Sequence, residues 1–398
     1  MQTDIALAKL RVAIVHYWFV GRAGGEKVVE ALADLFPQAD LYALIADREV
    51  LAPDLAKRKL RTSFLQRIPG AMRFHRHFLL LQPLALEQFD LRQYDLVISS
   101  ESGPAKGVLT SATTCHICYC HSPMRYIWDM YPQYVRSMNP LVRTIFMLTA
   151  HYMRLWDFAS AQRVNYFVAN SHFIASRIRQ LYGRDSVVIH PPVEITPDGG
   201  NTPPGEEYIA VGRLVDYKRF DLAVAACTAL GRRLAIVGDG PERKKLEAMA
   251  GPTVKFLGRL SDMELRSRLA SSRALLFPGE EDFGIVPVEA QSYGRPVIAY
   301  GAGGALETVR GNFPGLAPVE NPTGIFFYEQ STEAMCDAIR QFEEREKEFS
   351  PAFIREHSLQ FDRGVFKQQM AQFVQSALRE FQSRSIQRDL GYRYTADS

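Results

Sequence analysis

Short apolar runs that end in glycine or small polar residues recur along this chain, each followed by a longer stretch with helical spacing. In the first half the runs are residues 11–15, 40–44, 95–100, 115–120, 166–171 and 186–192. In the second they are 208–212, 234–238, 254–258, 274–277, 296–300 and 323–327. Strands joined through helices can pair in parallel, because the helix supplies the long crossover that a parallel pair needs. The alternation therefore predicts an α/β fold with two doubly wound sheets. Residues 191–205, rich in Pro, Gly, Thr and Asn, read as the linker between them. The length agrees, since 398 residues exceed what one hydrophobic core usually fills. The predicted domains are 1–190 and 206–365. Beyond them Phe366, Met370, Phe373, Val374, Ala377, Leu378 and Phe381 recur at helical spacing. A helix over about residues 366–390 is expected to pack back on the first domain, with a frayed polar end.

Charge is divided unevenly. Residues 1–190 carry 22 Lys+Arg against 15 Asp+Glu, and the remainder 25 against 29. The two halves are thus expected to meet different partners. From Lys57 to Leu81, cations such as Arg58, Arg67, Arg73 and Arg76 mix with Phe64, Phe74 and Phe78. That mixture suits an interfacial helix on anionic lipid; a helix that covers the sheet is the plainer alternative, and no nucleic-acid partner is expected. Residues 1–10 lack an unbroken apolar stretch, so no secretory signal is expected, and no run of 18 apolar residues predicts a spanning helix. The cysteines, Cys115, Cys118, Cys120, Cys227 and Cys336, are sparse and apolar in setting, which fits a reducing cytoplasm. Cys115, Cys118, Cys120 and His121 do not read as a metal site. Strand alternation sends Cys118 and Cys120 to one face and Cys115 to the other, and no second pair follows. No metal is expected.

Three places carry chemistry. After residues 274–277 come Glu281 and Glu289 with seven residues between them, around Phe283-Gly284-Ile285. A helix starting near Ile285 or Pro287 would aim exposed amides at an anion, while the carboxylates accept sugar or ribose hydroxyls. Alternatively, Asp282 caps that helix and Glu289 is an acid favoured by its dipole. Arg213 and Lys218 follow another strand and suit a diphosphate, or form a solvated surface pair. Gly24 and Gly25, after the first strand, allow close approach of phosphate to the backbone, though without dinucleotide spacing. His121 lies in a loop that precedes Ser122-Pro123, with Arg125, Tyr126, Trp128 and Asp129 behind it; His16 and His190 also read as strand-boundary residues.

Taken together, these motifs resemble the retaining glycosyltransferases of family 4, over most of the chain. The resemblance implies the GT-B fold, two Rossmann-like domains with the ligand between them. It places Gly24 and Gly25 near the donor diphosphate and Arg213 and Lys218 on it. Gly258, Arg259 and Leu260 would line the nucleobase, and Phe283, Gly284 and Ile285 the donor sugar and phosphate. Glu281 would hold sugar hydroxyls and Glu289 the ribose. Gly238 to Glu242, Gly303, Gly304 and Glu307 fit further family loops. The run from Cys120 to Asp129 resembles bacterial polysaccharide mannosyltransferases, where the histidine lies near the transferred sugar. His190-Pro191-Pro192 departs from the family pattern.

The resemblance implies transfer of mannose from GDP-mannose, with retention and without cofactor or metal, to a polyprenyl-diphosphate-linked oligosaccharide. The acceptor would meet the basic first domain at the inner face of the plasma membrane. Two other readings stay open at this point. One is a UDP-hexose-dependent transferase with a glycan or phospholipid acceptor. The other is a non-catalytic scaffold that binds sugar nucleotides.

Overall fold

The computed structural model of the chain describes residues 6–21, 24–136, 138–196, 202–312 and 319–396. The chain forms two compact units, Met1–Pro192 with Phe366–Ser398, and Val193–Val365. Of the predicted linker, residues 197–201 lie outside the described residues, while Val193 is fully buried in the second unit.

The first unit holds β1 (Val12–Phe19), β2 (Asp40–Ala46), β3 (Leu60–Thr62), β4 (Leu96–Glu101), β5 (Cys115–Cys120), β6 (Tyr166–Ala169) and β7 (Ser186–Val188). They form one parallel sheet in the order β3-β2-β1-β4-β5-β6-β7. The second unit repeats the plan through its first five strands, with β8 (Tyr208–Val211), β9 (Leu234–Val237), β10 (Val254–Gly258), β11 (Leu275–Phe277), β12 (Val297–Tyr300), β13 (Gly311–Asn312) and β14 (Gly324–Phe327). Its order is β10-β9-β8-β11-β12-β14-β13, again parallel. Each sheet is buried on both faces, which is why its inner strands read as unbroken apolar runs. In each, the strand order reverses beside the first strand, between β1 and β4 and between β8 and β11. Such a reversal opens a crevice at the carboxyl ends of the strands.

Several elements differ from the sequence expectation. β1 runs on through His16, Tyr17 and Trp18, so His16 is an inner strand residue and not a strand-end one. The next helix is Gly24–Leu35, so Gly24 and Gly25 form its first turn rather than a loop before it. Residues 57–81 form no interfacial helix. They make edge strand β3 and a series of short turns around Pro69 and Gly70, whose φ is +76°. Part of that basic charge serves the fold: Arg58 donates to the carbonyls of Ala33, Phe36 and Pro37, and Lys59 pairs with Asp40.

The cysteine strand alternates as expected, with Cys115 packed beside Ile117 and Tyr119 and with Cys118 and Cys120 in the opposite cluster. The last helix, Arg363–Ala396, sets Phe366, Met370, Val374, Ala377 and Leu378 into the cluster of Val12 and Ile14. The side chains of its predicted frayed end lie outside the described residues. Among the described residues, no helix is long and apolar enough to cross a membrane.

Behind the first sheet's carboxyl ends lies a wholly buried charge cluster. Lys106 pairs with Glu101 at 3.1 Å and with Asp157. Trp128 Nε1 and the Tyr182 hydroxyl each donate to Asp157 at 2.8 Å. One cation serves two carboxylates, and burial, reinforced by the charge of Asp157, pushes the Glu101 carboxyl from 4.5 up to about 7. The folded state thus holds a proton that the unfolded chain releases. The resulting stability is full below pH 4.5 and is lost as pH rises through about 7. Between about pH 5 and pH 8, urea unfolding of wild type should show this falling contribution, and Glu101→Gln should flatten it. An unchanged slope in the variant would assign the titration to another group.

Candidate functional site

In the first unit, β1, β4 and β5 lie side by side, and β1 runs on past the ends of the other two. His16 on β1 faces Ser100 on β4 in register, and His121 follows β5 directly. The Ser100 hydroxyl lies 3.1 Å from His16 Nδ1 and 2.8 Å from His121 Nε2. A hydroxyl donates one proton and accepts others, so this bridge couples the tautomers of the two rings. It also leaves Nδ1 as the His121 nitrogen that Ser100 does not engage. Beyond His16, the Glu26 carboxylate stands 3.9 Å from Nε2.

Gly25 closes the group: a Cβ there would lie 2.9 Å from the Tyr17 hydroxyl, 3.3 Å from His16 and 3.7 Å from His121 Nε2. Burial, with the charge of His16 adding to it, pulls the His121 pKa down to about 3. The ring is therefore neutral at ordinary pH, a hydrogen-bonding group rather than a cation. The loop behind it is anchored. Trp128 bonds to Asp157, and Arg177 pairs with Asp129 and reaches Ser122 at 3.3 Å. His190 binds the Asn170 carbonyl at 3.1 Å, as a boundary residue would.

In the second unit, the turn Asp216–Lys218 brings Lys218 to the loop after β11. Its ammonium meets Glu281 at 2.5 Å, with the two side chains 16% and 24% exposed. Arg213, on the loop after β8, is exposed and does not join this pair. The helix after the loop is Ile285–Ser292, and its N-cap is Gly284 at φ +95° with no side-chain cap bond. The N-cap residue is thus Gly284 and not Asp282. Only glycine holds that φ without strain.

The Gly304 amide donates to the Glu281 carbonyl at 2.8 Å, and a Cβ on Gly304 would come within 2.2 Å of Phe283 Cα. These contacts fix the loop that carries Glu281. Phe283 is buried against Phe361, and Ile285 packs on the same cluster. Glu289 lies in the second turn of the helix, partly exposed. At the end of β10, the Gly258 carbonyl accepts from Gly238 N at 2.7 Å, Arg259 is exposed and Leu260 packs on the apolar cluster of that face. A small pocket of about 210 Å³, counting its open side, lies between Lys218, Phe220, Phe277, Pro278 and Glu281. Among the described residues, no group of three or more His, Cys, Asp and Glu side chains is placed to hold a metal ion.

Reading the sequence missed the Ser100 bridge, the buried Lys106 cluster and the Lys218–Glu281 contact. The only signal for the first was a strand ending in Ser99-Ser100-Glu101. Spacing gives no sign of the other two.

Two family profiles match the chain: "Glycosyltransferase Family 4" over residues 22–196 and "Glycosyl transferases group 1" over 195–356. Among curated proteins, the sulfoquinovosyl transferase of Arabidopsis thaliana is 36% identical over 104 residues, 25% of this chain and 20% of that protein. The GDP-mannose-dependent alpha-mannosyltransferase of Corynebacterium glutamicum is 37% identical over 107 residues, 27% of this chain and 26% of that one. The matches thus span about a fifth to a quarter of these relatives' lengths. Among solved structures, Anabaena Alr3699/HepE in complex with UDP superposes with a TM-score of 0.65 at 17% identity, covering 92% of this chain and all of that one. With both profiles matched in tandem on two parallel sheets whose strand orders agree through the first five strands, the chain belongs to the glycosyltransferases of the GT-B fold.

Proposed function

We propose that the chain transfers a hexose from a nucleoside diphosphate sugar to a hydroxyl of a glycan or lipid-borne acceptor, with retention at the anomeric carbon. The Lys218–Glu281 pair carries this reading. It sets a cation and a hydroxyl acceptor together at the loop that leads into helix Ile285–Ser292. Lys218 and Arg213 would take up charge on the departing diphosphate, which is where preorganised cations lower such a barrier. Glu281 would hold sugar hydroxyls, Glu289 the ribose, and Gly258, Arg259 and Leu260 the base. His121, neutral and fixed through Ser100, would offer its ring to the transferred sugar. The bond from the anomeric carbon to the diphosphate breaks as the bond to the acceptor oxygen forms on the same face. The acceptor proton leaves with the diphosphate.

Two donors fit this description. GDP-mannose is favoured by the loop from Cys120 to Asp129 and by the mannosyltransferase match. A UDP-hexose is favoured by the Anabaena protein of the same fold, which has been solved with UDP and with UDP-glucose. A panel of GDP-mannose, UDP-glucose, UDP-galactose and UDP-GlcNAc decides between them by thermal unfolding. A ligand that binds only the folded state raises the midpoint. One nucleotide should stand out, with transfer following the same preference. No shift with any of the four would sink the donor reading.

A further inference from the structure

The polar atoms of His121 are engaged at all points but one. Its backbone N donates to the Glu101 carbonyl at 2.7 Å, and its own carbonyl accepts from Asn170 Nδ2 at 2.9 Å. Its Nε2 lies 2.8 Å from the Ser100 hydroxyl. Nδ1 has no partner among the described residues, and the side chain is only half-buried. A neutral imidazole carries its one proton on either nitrogen, so Nδ1 is a donor or a bare lone pair. The two states suit different ligands. An N–H takes any oxygen as partner, including that of a carbonyl, carboxylate or phosphate. A lone pair takes only a group that donates, such as a hydroxyl.

The neighbouring strands decide between them. Ser100 has one proton to place between Nε2 of His121 and Nδ1 of His16, 3.1 Å away. His16 is fully buried, held by the rings of Tyr17 and Phe19 at 4.0 and 4.9 Å, and its Nε2 makes no hydrogen bond among the described residues. The buried Glu26 carboxylate stands 3.9 Å from that nitrogen. Away from water, a lone pair on Nε2 would be repelled by the carboxylate and an N–H drawn to it. Three arrangements of two neutral rings make both bonds to Ser100. If the hydroxyl accepts from both rings, or donates to His121, then His16 carries its proton on Nδ1 and turns a lone pair to Glu26. Only when the hydroxyl donates to His16 does an N–H face the carboxylate. The same hydroxyl then accepts from His121, whose proton is thereby held on Nε2.

We propose that Glu26, His16 and Ser100 are positioning residues that hold the His121 proton on Nε2, so that Nδ1 turns a lone pair to a hydroxyl of the transferred sugar. His121 thus selects a group that donates and turns away one that only accepts. The inference rests on the placement of His121 beside that sugar, while the order of protons along the strands is a property of the empty protein.

The test is a long-range proton–nitrogen NMR spectrum of the full chain, isotope-labelled at histidine nitrogen, near neutral pH. The variants His16→Gln and His121→Ala assign the signals by their loss. In wild type both rings should be neutral with the proton on Nε2. Glu26→Leu frees His16 to reverse its proton, so the nitrogen shifts of both rings should move toward a mixture of tautomers. Ser100→Ala should do the same to His121, and Ser100→Thr, which keeps the hydroxyl, should restore it. Binding is read with whichever of GDP-mannose, UDP-glucose, UDP-galactose and UDP-GlcNAc stabilises the wild type most. Ser100→Ala should weaken it roughly two- to tenfold, and not at all once His121 is alanine. A wild-type proton on Nδ1 of either ring, a doubly protonated His16, or a Glu26→Leu spectrum like that of wild type overturns the proposal. So does an undiminished effect of Ser100→Ala in the His121→Ala background. If none of the four nucleotide sugars binds, the donor reading fails, and the wild-type spectrum still decides where the protons lie.

Discussion

Lys218→Ala is expected to lower sugar transfer roughly 100- to 1,000-fold while the second unit stays folded. The ammonium is a preorganised charge at the place where, in the proposed reaction, the diphosphate becomes more negative. Removing it costs the transition state more than the bound donor, so the fall should appear in kcat and not only in KM. The pair with Glu281 is partly exposed, and stability should therefore change little. Glu281→Ala should also cut transfer, but through the sugar: discrimination among hexoses should fall along with rate. Each variant is assayed for turnover at saturating donor, with thermal unfolding as the check on folding. Wild-type turnover in a folded Lys218→Ala protein would remove Lys218 from the site.

The second large effect is on stability. Lys106→Met leaves Glu101 and Asp157 buried without their cation. Breaking a buried pair by removing one partner costs roughly 3–5 kcal/mol, a large share of the roughly 5–15 kcal/mol that holds a protein together. At about 2–4 °C per kcal/mol for a unit of this size, the midpoint should fall by on the order of 10 °C. The charge account makes a second demand. Lys106→Met combined with Glu101→Gln and Asp157→Asn leaves no uncompensated charge and keeps an acceptor for Trp128 and Tyr182. That triple variant should recover much of the loss. A Lys106→Met protein that melts with wild type, or a triple variant no better than the single one, would contradict it.

How much of this was legible beforehand follows from where each residue stands. Strands such as Leu234–Val237 are buried on both faces, so apolar composition alone revealed them. Edge strand Leu60–Thr62 has one exposed and two half-buried residues and carries no such signal. His16 and Tyr17 hid the continuation of β1, because polar residues end an apolar run even where a neighbouring strand satisfies them. Two glycines hid the first turn of the next helix. Helix Pro140–Arg163 buries Asp157 and Ser160 and exposes Leu141, Leu148 and Leu155, so its sequence does not say which side faces the core. The residues of the candidate site were found by local motif. Their partners were not, since Lys218 with Glu281, and Lys106 with Asp157, meet only through the order of strands in the sheet.

The contact between Lys218 and Glu281 also bears on what an empty enzyme ignores. A free phosphate that takes the lysine strips the glutamate of its partner and leaves a bare negative charge beside another. A simple sugar does the converse, engaging the carboxylate while the ammonium keeps its old neighbour. Only a molecule with phosphate at one point and hydroxyls at the next replaces both halves of the pair at once. Under the proposed roles the resting site is thus a two-key lock, indifferent to abundant cellular anions and to abundant sugars, and opened by the two joined in one ligand.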